Sequence, residues 1–147
     1  LSRVTFAPIT PDYYDVLRLA LEVAGLPVLD LDDPGGTFFA LSDDNGPIGF
    51  VGLEGYGADR LLRSLVVLPS RKRRGHGALL VAHAEAWARR ADVARLHLLT
   101  TSAADFFRAR GYRPRDRAEA PPAIAGTALF GSLCPASATY LAKDLKK

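Results

Sequence analysis

The chain has 147 residues, 48% hydrophobic and 24% charged, which is enough apolar material for one core burying about two-thirds of the unfolded surface. Its longest apolar runs, such as Leu65-Val66-Val67-Leu68, fall far short of the ~20 residues of a membrane-spanning helix. A single cysteine, Cys134, excludes an intramolecular disulfide and an all-cysteine metal site, while His76, His83 and His97 lack metal-centre spacing.

The N-terminal residues Val4-Thr5-Phe6 predict a short first strand, and Tyr13, Leu17, Ala20, Leu21 and Ala24 then recur at helical spacing up to Gly25. A charged stretch followed by an apolar core is missing from this start, so it does not read as a signal peptide and a cytoplasmic location is expected. A polar loop over 30–36 precedes two apolar runs, 37–41 and 48–53, joined by Asp43-Asp44-Asn45-Gly46. Asn-Gly between such runs signals a hairpin. A second turn at 55–59 leads into 61–68, so three antiparallel strands are expected in the middle of the chain.

Four basic residues, Arg71 to Arg74, follow that strand, and a helix is expected from about Gly77 to Arg90, with Leu80, Ala84, Trp87, Ala88 and Ala91 on one face. A buried strand over 96–100, a short helix over 103–110 closed by Gly111, and an extended segment at 112–115 come next. Residues 118–137 are rich in Ala, Pro and Gly, and Thr139-Tyr140-Leu141 suggests a final strand. No repeat or linker divides the chain, so residues 1–147 read as a single domain.

A strand, a glycine-containing loop and a helix make a phosphate site, because first-turn N–H groups have no partner within the helix. Gly75 and Gly77 bear no side chains that would block the approach. The stretch Val67-Leu68-Pro69-Ser70-Arg71-Lys72-Arg73-Arg74-Gly75-His76-Gly77-Ala78-Leu79-Leu80 resembles the acetyl-CoA signature of GNAT acetyltransferases, Gln/Arg-x-x-Gly-x-Gly/Ala, with Lys72 at the first position. Thr101-Ser102-Ala103-Ala104-Asp105-Phe106-Phe107-Arg108-Ala109-Arg110-Gly111-Tyr112 is similar to the family helix ending in Tyr-x-x-x-Gly-Phe, with Phe107 where a tyrosine often protonates the departing thiolate.

The resemblance implies an α/β fold with a mixed, mostly antiparallel twisted sheet of six to seven strands flanked by helices, the fourth and fifth strands splaying to form the acetyl-CoA cleft. It implies acetyl-CoA as donor and a small-molecule amine as acceptor, with no metal. Leu65, Val66, Val67, Lys72, Arg73, Arg74, Gly75, His76, Gly77, Ala78 and Phe107 are the candidate cofactor contacts, one backbone N–H of 65–67 serving the tetrahedral oxyanion. Gly25-Leu26-Pro27, Leu53-Glu54-Gly55-Tyr56-Gly57, Leu61-Leu62-Arg63-Ser64-Leu65 and Leu133-Cys134-Pro135 further resemble the GNAT proteins associated with arsenic resistance. That group implies an amino-acid analogue with an anionic head as acceptor.

Glu54 is the candidate general base, with Ser64 and Tyr56 able to orient a water; its other reading is a strand-end surface charge. Arg63 sits within an apolar strand, where a guanidinium is costly unless paired. It is either a receptor for an acidic acceptor, with Arg117 as a second contact, or an ion pair with Glu54 or Asp59. Alternation along a strand would put Arg63 and Leu65 on one face. Cys134 reads as a small core residue. Two other functions stay open: a CoA-binding regulatory domain, suggested by Phe107, and a nucleic-acid-binding module using Arg71 to Arg74. No stacking platform accompanies that basic run. A homodimer is compatible with the sequence.

Overall fold

The computed structural model describes residues 3–73 and 75–145. Seven strands form one sheet in the order β1-β2-β3-β4-β5-β7-β6. They are β1 (Thr5–Pro8), β2 (Gly36–Asp43), β3 (Gly46–Glu54), β4 (Asp59–Val67), β5 (Arg95–Thr100), β6 (Arg113–Arg115) and β7 (Thr139–Asp144). All pairs are antiparallel except β4 with β5. The mixed, mostly antiparallel sheet agrees with the expected fold class.

Helix α2 (His76–Arg90) buries Leu80, Val81, Ala84 and Ala88 against one face of the sheet, where Phe39, Val51, Leu62 and Leu98 meet them. Helix α1 (Tyr14–Val23) lays Leu17, Ala20 and Leu21 on the other face against Phe38, Phe50 and Val66. Spacings of three and four residues produce each stripe. His83 of α2 stacks on Phe6 at 5.2 Å.

Two local departures from regularity shape the cleft. The β4–β5 pairing runs only from Asp59↔Arg95 to Leu61↔His97, and beyond it the strands part. In β4, the register against β3 shifts between Phe50↔Val66 and Gly52↔Arg63, so Ser64 and Leu65 together oppose Val51. This is a β-bulge, with Ser64 at φ 58° in the left-handed region. The extra residue corrects the expected alternation. Leu65 packs on the α2 face, whereas Arg63 lies on the α1 face, where the ring of Phe38 is 5.6 Å away.

The segment 118–137, read as irregular, carries a short helix α4 (Pro122–Ala125) and a π turn (Leu129–Leu133). Ile124 and Leu129 of that segment are buried against Leu61. It covers the sheet beside α1 and closes the far side of the cleft. Helix α3 (Ala104–Arg108) contributes buried Phe107 from the α2 face.

Candidate functional site

The parted strands frame a cavity of 680 Å³, within the usual size of a small-molecule site. Residues 62–67 of β4 and 98–100 of β5 form its flanks. Lys72, Ala103 and Phe107 line one end, and Leu26, Leu29, Leu133 and Cys134 the other. The cavity therefore passes through the sheet from the α2 face to the α1 face. An adjoining cavity of 720 Å³ is lined by Leu65, Val67, Lys72, Arg73, Gly77 and Phe106, among others.

The loop before α2 meets both cavities at Lys72, and Gly77 lines the second. Gly75 takes φ +92° and has nothing within 4 Å of where a Cβ would stand, so its requirement is conformational. Gly77 is different: a Cβ there would sit 3.3 Å from the Phe106 ring. The first helical bond of α2 runs from Leu79 N–H to the Gly75 carbonyl, so Gly77 and Ala78 precede the ladder with their N–H groups at the helix start. His76 Nδ1–H donates to the Arg71 carbonyl at 2.7 Å, and the imidazole thus braces the loop. Arg71 itself pairs with Asp43 and donates to the carbonyls of Gly46 and Pro47 at 3.2 and 3.3 Å. It fastens the loop to the β2–β3 hairpin. Lys72 and Arg73 line the cavity, as expected for a site facing an anion; Arg74 lies outside the described residues.

Of the expected catalytic and acceptor-binding residues, Arg63 and Ser64 line the through-sheet cavity and Glu54 stands behind Arg63. Arg63 is buried and donates Nη1 to Asp30 Oδ2 at 2.5 Å, Nη2 to Asp30 Oδ1 at 2.7 Å, Nη1 to Glu54 Oε1 at 2.9 Å and Nε to Ser64 Oγ at 3.1 Å. Burial alone would lower its pKa, but the bonds and charges of Asp30 and then Glu54 outweigh that and raise it. The pairing with Glu54 is the ion pair foreseen from sequence; the bidentate one with Asp30 was not, because 33 residues separate the partners. Asp59, the other foreseen partner, is engaged elsewhere. It accepts from His97 Nε2–H at 2.7 Å, and Tyr140 O–H donates to His97 Nδ1, also at 2.7 Å.

The structure does not bring the remaining two to the cavity wall. Tyr56 is 75% exposed on the β3–β4 turn. Arg117 donates to the carbonyls of Pro135 and Phe130 at 3.1 and 3.0 Å, holding the segment that carries Cys134. Cys134 does line the cavity, and burial pushes its thiol pKa up, so it is held as a thiol. Phe106 packs half-buried on the core edge and lines the second cavity, with the Arg110 guanidinium 3.8 Å above its ring. Among the described residues no group of three or more His, Cys, Asp or Glu could hold a metal ion, and no helix is long and apolar enough to cross a membrane.

The family model described as Acetyltransferase (GNAT) domain matches residues 34–114, from β2 to β6. No curated protein matches the chain. Among solved structures, N-acetylglutamate synthase from Neisseria gonorrhoeae complexed with coenzyme A and N-acetyl-glutamate is similar at 20% identity and TM-score 0.78, over 100% of this chain and 36% of that one. This chain spans about a third of the length of that synthase, 36% and 34% in two structures. A GNAT family acetyltransferase from Elizabethkingia anophelis with acetyl-CoA bound aligns at 17% identity and TM-score 0.68, over 96% of this chain and 97% of that one. An acetyltransferase of the GNAT family from Staphylococcus aureus Mu50 gives 15% and 0.74, over 98% and 100%. At these identities the likeness is one of fold.

Proposed function

Because the chain belongs to the GNAT acetyltransferase family, we propose that it moves an acetyl group from acetyl-CoA to a primary amine of a small molecule. The observation that carries this reading is the opening of β4 from β5 beside a helix start whose approach is kept clear by Gly77. The donor's pyrophosphate would lie on the amides of Gly77 and Ala78 with Lys72 and Arg73 beside it. Its thioester arm would run between β4 and Phe107 into the through-sheet cavity.

Beyond Leu61 the edge of β4 that faces β5 has no strand partner among the described residues, which supports the main chain of 65–67 as the donor of hydrogen bonds to the tetrahedral oxyanion. The amine nitrogen attacks the thioester carbonyl, the C–N bond forms, and collapse breaks the C–S bond to release a thiolate. Phe107 offers no proton to that thiolate; a thiol pKa near the cysteine value of about 8.5 makes it a tolerable leaving group unaided. The ammonium proton must leave before attack. Of the two carboxylates bonded to Arg63, Glu54 has the more exposed side chain, 17% against 5% for Asp30. Glu54 is therefore the one able to receive the proton through water, with Ser64 on the cavity wall.

Phe107 equally favours a second reading, a CoA-binding domain without turnover. The basic run is a weaker basis for nucleic-acid binding, because Arg71 is consumed by the hairpin. Release of free thiol from acetyl-CoA in the presence of a panel of amines tests the proposal. Acceptor-dependent thiol release is expected, whereas binding of acetyl-CoA without release for any amine would favour the regulatory reading.

A further inference from the structure

Resting on the acetyl-transfer reading, the geometry points to an acceptor class: a primary amine on an apolar body that carries no acidic group. If the donor enters from the α2 face, the acceptor enters from the α1 face, and there the wall is made by Val23, Leu26, Val28, Leu29, Leu129 and Leu133. Val23 and Leu29, at the rim, are 66% and 84% exposed, so apolar surface stands ready to be covered when an apolar ligand binds.

The charged groups on this side argue against an acid. Among the described residues Arg63 is the guanidinium on the cavity wall, and its two Nη atoms already face both oxygens of Asp30, while Nε serves Ser64. A carboxylate from an acceptor could take that fork only by displacing Asp30, whose side chain is 5% exposed and would be left charged and unpaired. Arg117 is off the wall and spends its Nη donors on the Phe130 and Pro135 carbonyls. Lys72 lines the cavity from the opposite end, on the loop before α2. The cluster of Arg63 with Asp30 and Glu54 has one positive and two negative groups. Its surplus negative charge repels an anionic head and attracts an ammonium on its way in. Arg63 therefore acts as a specificity-determining residue by being occupied, and Asp30 by occupying it. This reverses the acidic acceptor expected from the sequence.

The test is kcat/KM from thiol release, expressed per free base so that differences in amine pKa drop out. 2-Phenylethylamine is compared with phenylalanine, which adds only the carboxylate, and hexylamine with ethanolamine, which lacks the apolar body. The expected result is a preference of ~10-fold or more for the first member of each pair. The rim variant Val23→Lys, at an exposed position, should raise phenylalanine relative to 2-phenylethylamine. Preference for phenylalanine or ethanolamine, equal rates within a pair, or no turnover of either apolar amine would overturn the proposal. Calorimetric titration with acetyl-CoA on the same preparation separates the two levels. If acetyl-CoA binds and other amines release thiol while these preferences fail, only the acceptor class falls; if acetyl-CoA does not bind, or binds without thiol release for any amine, the transferase reading falls and takes this one with it.

Discussion

Arg63 and Asp30 meet fork to fork, Nη1 to Oδ2 at 2.5 Å and Nη2 to Oδ1 at 2.7 Å, with side chains only 4% and 5% exposed. The contact ties the loop after α1 to the bulged strand β4, so one ion pair fixes both the floor and the rim of the cavity. Removing Asp30 leaves Nη2 of the dry guanidinium without its acceptor, with Glu54 the one carboxylate still bonded to Nη1. Asp30→Ala is expected to destabilise the fold by about 3–5 kcal/mol, read from urea denaturation. Arg63→Lys should also lose stability, since an ammonium cannot copy the planar fork. Unchanged midpoints in both variants would mean that the pair contributes nothing.

Glu54 shares the Arg63 guanidinium but is more exposed than Asp30, 17% against 5%, so water can reach it and its contribution is expected to be kinetic. Glu54→Gln should lower turnover by roughly 10²–10⁴-fold with acetyl-CoA affinity nearly unchanged. Asp30 remains to pair Arg63, which keeps the variant folded. Turnover like that of wild type would remove Glu54 from proton transfer.

Much of this frame was legible in the sequence. Asn45-Gly46 marked the β2–β3 turn, and the glycines of 75–77 marked the start of α2, because both signals are local backbone requirements. What escaped was long-range or contrary to local preference. The bulge at Ser64 places a non-glycine residue at φ 58°, a conformation costing roughly 1–2 kcal/mol that nothing in Leu62-Arg63-Ser64-Leu65 announces. The Asp30 partner depends on how the loop after α1 folds back. Ile124 and Leu129 are isolated apolar points in an Ala- and Pro-rich stretch, too sparse for a periodic signal, although both pack against Leu61 and Leu129 lines the cavity. Tyr56 was expected to orient a water for Glu54, yet the turn carries it outward.

A pH dependence of stability follows from His97, which is wholly buried between Asp59 and Tyr140. Burial is the largest influence and lowers its pKa below the ordinary 6.5; Asp59 opposes this, while Arg95 and Arg115 add to it. The unfolded chain therefore binds the imidazole proton at a higher pH than the folded one. Stability should be level above about pH 6.5 and fall as pH drops from there toward the folded-state pKa. Thermal melts between about pH 5 and 8 check this, and His97→Gln should flatten that part of the curve. Persistence of the same slope in His97→Gln would assign it to other groups.

The reading as an acetyl-CoA-dependent enzyme stands or falls on the loop before α2. A ligand selective for the folded state adds RT ln(1 + [L]/Kd), about 2.7 kcal/mol at a hundredfold excess over Kd, so acetyl-CoA should raise the melting temperature by roughly 5–10 °C. The most direct measurement is calorimetric titration of acetyl-CoA into the wild-type chain and into Gly77→Val. The valine would stand over the first-turn amides and against Phe106, where a Cβ already meets the ring at 3.3 Å. Saturable one-to-one binding by the wild type, lost or weakened at least ~100-fold in a folded Gly77→Val, is the expected result. Absence of binding to the wild type, or equal affinity in the variant, would contradict it.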